Sequence, residues 1–499
     1  MVAGLLSSGS AARAADSPGT AGSSDQPDAP VVEPPVEAPA PPASEQGVES
    51  PPLPGAEPPV TESPLGDQPH ATLGGYVRGD LYVGEAVNER QAELKAAYAE
   101  LALVARTAKS PLGDGYAEGR LRYGLQGNLQ ETFLDLREAY VNTYFGPVDL
   151  RLGKQIIVWG RADLLNPTNN LTPIDLRIRS PIEDDRRIGN IGARAFVRLA
   201  PAPLRLEVVW LPFFVPSELP AVALPQYVAF GPPKYPSPMV ANGTEAGRLH
   251  LELASFELSV SYLYGYAPLP GLTLGQIIFD KDNPAVLIAR TAYRQQVVGF
   301  DFSTAVGDVL GIRGEAAYRR PFDYANQPSV ARPDLQYAVG LDHQFGSIMV
   351  IAQYLGRYCF EWTKQTGPAM ELDPDTLKID PNTASQADLD GYTRQYGAVI
   401  NSILARYSQI IFSQTERVQN LATARLEWTT LHDSLSLSAT GIVNVTTREW
   451  LAAPKVAYRI SDALTAYVGA EVLSGPPGTL FGLIDRTLSA GYVELRSTF

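Results

Sequence analysis

From about position 74 to the end of the chain, polar and apolar residues alternate with a period of two, the pattern of strands with one wet face and one apolar face. Glu118, Arg120 and Arg122 alternate with Ala117, Gly119, Leu121 and Tyr123. Arg194 and Arg198 alternate with Ala193, Ala195, Val197 and Leu199, and Arg205 and Glu207 with Leu204, Leu206, Val208 and Trp210. The same phase returns at Arg313 and Glu315, at Arg425 and Glu427, and at Glu494 and Arg496. The pattern predicts about 18 strands, near 72–83, 95–107, 115–127, 133–145, 147–159, 190–200, 203–212, 247–255, 257–266, 295–305, 308–319, 335–345, 347–356, 418–430, 434–446, 450–460, 463–473 and 486–499.

A soluble sandwich also alternates, so the period alone does not select the architecture. The connections do. Every second link is short, as at Gly146 and Pro147, Gly307, Gly346, or Ser461 and Asp462. Most links between them are long: 161–189, 213–246, 267–294, 321–333 and 358–417. Short turns at one end and long loops at the other are what a membrane-spanning barrel shows, and an even strand count puts both termini at the short-turn end. The expected fold is therefore all-β: a transmembrane antiparallel β-barrel over 70–499, of about 18 strands, with 16 as the alternative count. Trp159, Trp210 and Trp450 would lie at the outer rim and Trp428 near the inner one, where aromatic rings favour the membrane interface. Two residues resist the scheme. Lys154 falls on the apolar phase, unless a bulge near Gly153 moves it. Pro454 lacks a donor inside a strand that a closed barrel pairs on both sides.

Upstream, 16–69 is rich in Pro, Ala and Glu and cannot bury a core, so it reads as a disordered spacer. Extended as polyproline it would reach on the order of 150 Å. Residues 1–15 resemble the tail of a secretory signal peptide, with Ala12, Arg13 and Ala14 fitting a small-residue cleavage site and the true start upstream. The spacer and a periplasmic location for it go together with the barrel.

Composition narrows the function. The net charge is −14, and the ten Asp/Glu of 1–69 against the single Arg13 account for −9 of it. No basic footprint points to nucleic acid. Cys359 is the only cysteine, so no disulfide or cysteine-based zinc site forms, and the four histidines, His70, His250, His343 and His432, lack metal-ligand spacing. Neither a metal nor a cofactor is expected. A barrel enzyme would need His beside Ser or Asp near the rim. His250 is the only mid-strand histidine and no partner motif accompanies it, so no catalytic residues are assigned.

On the barrel reading lipid covers the apolar phase and water wets the other. The wet phase carries the candidate pore-lining residues Glu100, Arg106, Glu118, Arg120, Arg122, Glu138, Arg151, Arg194, Arg198, Arg205, Glu207, Arg313, Glu315, Lys455, Arg459, Glu494 and Arg496. Two readings stand: charge ladders that hold the wall together, or a charged constriction that selects solutes. The loop 161–189 is the candidate constriction, with Arg161, Asp163, Asp175, Arg177, Arg179, Glu183, Asp184, Asp185, Arg186 and Arg187. The loop before the fourteenth strand holds LDGYTRQYGAVINSILARYSQIIF, with mixed helix and strand signals, a lid or a plug.

Two segments carry a family resemblance. LRLGKQIIVWGRADLLNPTNNLTPIDL (150–176) and VVGFDFSTAVGDVLGIRGEAAYRRP (297–321) resemble a proteobacterial porin-like family of unknown function, akin to alginate-export barrels. The terminal AGYVELRSTF resembles the signal read by the barrel-assembly machinery of Gram-negative outer membranes, ending on Phe499, with Ser497 departing from the usual large apolar residue. The resemblance implies an outer-membrane barrel without an enzymatic role and supplies no solute; the leading functional reading is a porin-like channel through which a small polar solute crosses passively. A structural or assembly barrel that anchors the spacer or presents binding loops is the alternative.

Overall fold

The computed structural model describes residues 71–499 except 87–89, 127–128, 164, 221–223, 308–309, 326, 328 and 366–372. The expected leader and spacer lie outside the described residues. The strands are β1 (Ala71–Glu85), β2 (Ala92–Thr107), β3 (Gly113–Gln126), β4 (Leu129–Phe145), β5 (Val148–Gln155), β6 (Asn190–Arg198) and β7 (Leu204–Leu211). They continue as β8 (Val228–Phe230), β9 (Thr244–Glu252), β10 (Phe256–Tyr266), β11 (Gly271–Ile278), β12 (Ala285–Thr291), β13 (Arg294–Val306) and β14 (Leu310–Pro321). The last are β15 (Asp334–Phe345), β16 (Ile348–Cys359), β17 (Val418–Thr430), β18 (Leu435–Asn444), β19 (Glu449–Arg459), β20 (Leu464–Ser474) and β21 (Ala490–Thr498). Two α-helices interrupt them, α1 (Gln386–Ile411) and α2 (Leu480–Leu488).

Eighteen strands form one antiparallel sheet, and β1 pairs with β21 from Tyr76↔Thr498 to Val83↔Gly491, which closes the sheet on itself. Closure satisfies the edge groups that a bilayer cannot hydrate. Each of the eighteen expected strands is present. β1 shows the two faces plainly: Arg78, Asp80 and Tyr82 are buried inside, whereas Val77, Leu81 and Val83 are exposed outside. Leu121, Val141, Val208, Val260, Val339 and Val468 continue the exposed apolar belt. Trp210 and Trp450 stand on it toward the long-loop end, and Phe145, Phe345 and Trp428 toward the short-turn end, so aromatics fringe the belt on both sides.

Trp159 departs from expectation. β5 stops at Gln155, the chain turns inward, and Trp159 is only 2% exposed, donating its indole N–H to Glu207 at 2.9 Å. The last strand also begins later than expected, because 480–488 winds into α2. Lys154 stays opposite Ala139 and Ile191, with continuous ladders through Gly153, but its amine lies 3.2 Å from Asp135. The bulge is one strand over, where the β3–β4 register shifts between Glu118 and Gly119. Pro454 is accommodated by a gap: the β19–β20 ladder runs to Ala452↔Val472 and resumes at Lys455↔Gly469.

At the long-loop end, β8, β11 and β12 form a separate three-stranded sheet. The mixed-signal segment is helix α1, opened by a Ser385–Asp388 capping box. Its Ile400, Leu404 and Ile411 pack with Val228, Leu272, Val286 and Ile288 of the small sheet. This layer caps the barrel mouth on the long-loop side.

Candidate functional site

The loop between β5 and β6 lies within the barrel, and its charges meet charges on two arcs of the wall. On one side, Asp185 sits 2.6 Å from Arg78 on β1 and 2.8 Å from Arg120 on β3, and Arg137 of β4 donates to the Asp184 carbonyl. On another, Arg161 pairs with Asp301 of β13 at 2.8 Å, and Glu315 of β14 accepts from the backbone N–H groups of Arg161 and Ala162 and from Thr168. Asp163 pairs with Arg313 of β14. Two strands from β1, Arg186 reaches Glu471 of β20 at 3.0 Å. Arg179 donates to the Thr487 and Leu488 carbonyls, a cation placed at the C-terminal end of α2 where the helix dipole favours it.

Apolar packing holds the loop as well. Leu165, Ile174 and Leu176 join Ala338, Leu355, Leu421, Ile442, Leu451 and Leu473, which project inward from β15–β20, together with Leu480, Phe481, Ile484 and Leu488 of α2. The inner face is thus not uniformly wet. Its β15–β20 side is apolar where the loop and α2 rest on it, and charged over β1–β7.

The remaining candidates fall into two groups. Glu100, Glu118, Arg122, Arg194, Glu207 and Glu494 are buried in ion pairs, such as Arg122–Glu100 at 2.5 Å and Arg194–Glu207 at 2.7 Å. Glu138 accepts from the Ile156 N–H at 2.8 Å, and Arg151 stacks on Tyr140 and donates to Asn142. Arg198 pairs with Asp149, Arg205 with Glu252 and Arg496 with Glu494, while Arg106 stacks on Tyr116 and Arg459 donates to the Asp433 carbonyl; none of these five meets the loop at hydrogen-bond distance. Within the loop, Arg177 pairs with Asp175 and Arg187 with Asp184.

The sequence reading missed the hub of the wall. Arg78 contacts Glu100 at 2.7 Å, Asp185 at 2.6 Å and Glu494 at 3.5 Å. The signal was available, since Tyr76, Arg78, Asp80 and Tyr82 share one phase. It also missed a second buried cluster, Asp334 with Arg319 at 2.7 Å and Arg357 at 3.3 Å. His250 does have partners: Ser259 lies 3.1 Å from one ring nitrogen and Glu207 3.3 Å from the other. The order resembles a nucleophile–base–acid relay, but Ser259 is 0% exposed, so no substrate reaches its hydroxyl.

Three cavities adjoin the loop. The largest, about 460 Å³, opens toward the long-loop end between the loop residues 175–179, the tops of β2–β4 and the segment 218–220. Two smaller ones measure about 80 and 70 Å³, the former beside Asn166, Gln295, Arg319 and Asp334 and the latter between Glu183, Arg186, Arg425, Lys455 and Glu471. One Glu183 carboxyl oxygen is buried there with no hydrogen-bond partner among the described residues, and burial pushes its carboxyl up to about 8.

Fold and site together define a closed transmembrane β-barrel whose lumen is narrowed by an inward-folded, ion-paired loop. Residues 85–187, which span β2–β5 and that loop, match a family described as a protein of unknown function (DUF1302). The match includes all of the 150–176 segment, one of the two that carry the porin-like resemblance, and not the other, 297–321. No curated protein matches the chain. Among solved structures, OccK9 (OpdG) of Pseudomonas aeruginosa is similar at 11% identity and a TM-score of 0.49, over 86% of this chain and 97% of that one. P. aeruginosa OccK2 (OpdF), solved in complex with glucuronate, has 12% identity and a TM-score of 0.48, with 86% and 97% covered. A BenF-like porin from Pseudomonas fluorescens Pf-5 has 12% identity and a TM-score of 0.49, with 86% and 98% covered.

Proposed function

We propose that the protein is a narrow, passive outer-membrane channel for a small polar solute, in a Gram-negative bacterium, with its N-terminal spacer in the periplasm. The observation that carries this reading is the lumen itself. A purely structural barrel needs no charged loop tied by Asp185 and Arg186 to one arc of its wall and by Arg161 and Asp163 to another. Fixed charges of both signs at a constriction select solutes by field as well as by size. The candidate lining and loop residues supply that field, and lipid surrounds the exposed apolar belt. During assembly Phe499, whose N–H and carbonyl pair with Gly75 at 3.0 Å, is the terminal residue offered to the insertion machinery.

Reconstitution tests the reading. Purified full-length protein in liposomes is expected to pass small ions and to show a reversal potential in a salt gradient, with substitution of Arg177 shifting it. Liposomes that stay impermeable to ions and to small sugars and carboxylates would overturn it in favour of an anchoring barrel.

A further inference from the structure

The Asn-Pro stretch of the loop carries no charge and takes no part in the ion pairs that tie the loop to the wall. Asn166, Pro167, Asn169 and Asn170 border the cavity of about 80 Å³ instead, together with Gln295 of β13 and Tyr293 just before it. Neighbouring residues fix the stretch. Glu315 accepts from the Thr168 N–H at 3.2 Å and from its hydroxyl at 3.0 Å. The Asn166 amide lies against Gly160, in the space a Cβ would fill, so the turn after Trp159 needs a glycine there, with φ +103°.

What the cavity lacks is partners. Gln295 is only 4% exposed, yet its amide makes no hydrogen bond among the described residues. Buried amides in folded proteins are nearly always paired, so an unpaired one beside a cavity marks a place for a guest. The Tyr293 hydroxyl and the Asn166 and Asn169 amide nitrogens are likewise without a partner among the described residues. Asn170 donates to the Pro167 carbonyl at 2.8 Å, which leaves its amide oxygen free.

The unmatched groups are of both kinds. Asn166, Asn169 and Gln295 offer donors, Asn170 and Gln295 offer acceptors, and the phenol does both. A carboxylate only accepts and an ammonium only donates, whereas a hydroxyl does both, so a hydroxylated chain is the guest that satisfies the set. The charges at the edge are engaged: Asp334 accepts from Arg319 at both oxygens, at 2.8 and 2.7 Å, and Arg332 donates to the Tyr324 carbonyl at 2.7 Å. Pro167, Leu269 and the Phe412 ring give apolar surface for a carbon chain. At ~10–15 Å³ per water the cavity holds roughly five to eight waters, the space of a four-carbon polyol or of one end of a longer sugar.

We propose that this cavity is a solute subsite for a hydroxyl-rich molecule, a polyol or the hydroxylated end of a sugar, held between the Asn-Pro stretch and Gln295 with Tyr293. The inference rests on the channel reading and names a class for its solute, but its test reads binding rather than passage. Full-length protein in lipid nanodiscs is titrated with erythritol, erythronate, 1,2-dimethoxyethane or succinate, and binding is read by saturation-transfer difference NMR. Erythritol is expected to bind, and 1,2-dimethoxyethane and succinate, which accept without donating, to bind far more weakly. Gln295 has no hydrogen bond to lose, so Gln295→Leu should keep the melting temperature of the native chain while weakening erythritol about tenfold, and Tyr293→Phe should weaken it about threefold. Erythronate binding more tightly than erythritol assigns the subsite to sugar acids, and the reverse order assigns it to neutral polyols. No binding of erythritol or erythronate, binding unchanged by both substitutions, or equal binding of the probes without hydroxyls would overturn the subsite. Erythritol bound by a protein whose liposomes stay impermeable would instead overturn the channel reading alone.

Discussion

Arg78 shows how a single side chain ties wall and loop together. Its guanidinium is fully buried among Glu100, Asp185 and Glu494, so removing it leaves three carboxylates without their shared cation. Breaking a buried ion network in this way costs about 3–5 kcal/mol. Arg78→Ala is therefore expected to lower the temperature of the heat-induced gel-mobility shift well below that of Arg198→Ala. Arg198 pairs with Asp149 but is about half exposed, and an exposed pair is worth little. Equal shifts for the two variants would contradict the hub.

Glu183 gives a pH signature at the same scale. Burial raises its carboxyl from 4.5 to about 8, against the lowering influence of Arg187 and Arg186. The folded protein keeps a proton that the unfolded chain releases, so stability falls as pH rises from about 4.5 to about 8 and is level beyond. Glu183→Gln should remove that slope, read as melting temperature at pH 5 and pH 9. It should also remove any change in ion preference through pH 8, because no new charge then appears in the small cavity. A wild-type slope retained by the variant would assign the titration elsewhere.

At the scale of the element, α2 rests on a short list of supports: a Thr479 N-cap, Glu449 accepting from the Phe481 N–H at 2.6 Å, and Arg179 at its last carbonyls. Arg179→Gln should therefore behave as a packing variant that loosens α2 and raises conductance noise. Arg177→Gln, on a side chain half exposed in the large cavity, should change ion preference with little change in stability. Reversal potentials and melting curves of the two variants separate these effects. This division was not legible in the sequence, where both arginines stood in one charged loop. The loop's sign pattern and its length were legible. Its partners were not, because they come from distant strands: Asp185 meets a residue 107 positions earlier, and Arg186 one 285 positions later. Periodicity also misled locally. Ile157 and Trp159 keep the strand phase of β5 after the chain has left the sheet, and the apolar run of α2 was absorbed into the last strand although Leu480, Ile484 and Leu488 recur at helical spacing under a Thr cap.

At the scale of the whole molecule, alternation and the sorting of loop lengths were enough to give the barrel, because both follow from lipid outside and hydrogen bonding within the wall. What they could not give was the unequal wall height, since β5 stops where the chain turns inward after Gln155. Nor could they show that part of the inner face over β15–β20 is apolar, which depends on what packs against it. The result is a cylinder filled by its own loop rather than a wide aqueous pore. Such a molecule should conduct in small steps and strengthen its current only when the plug is removed.

Single-channel recording in a planar bilayer, comparing the full-length protein with a variant in which 165–185 is replaced by a short Gly/Ser linker, tests this most directly. Small, ion-selective steps are expected for the native chain and several-fold larger, weakly selective steps for the variant. Equal conductance in the two, or a variant that inserts and stays silent, would contradict a lumen closed down by the loop.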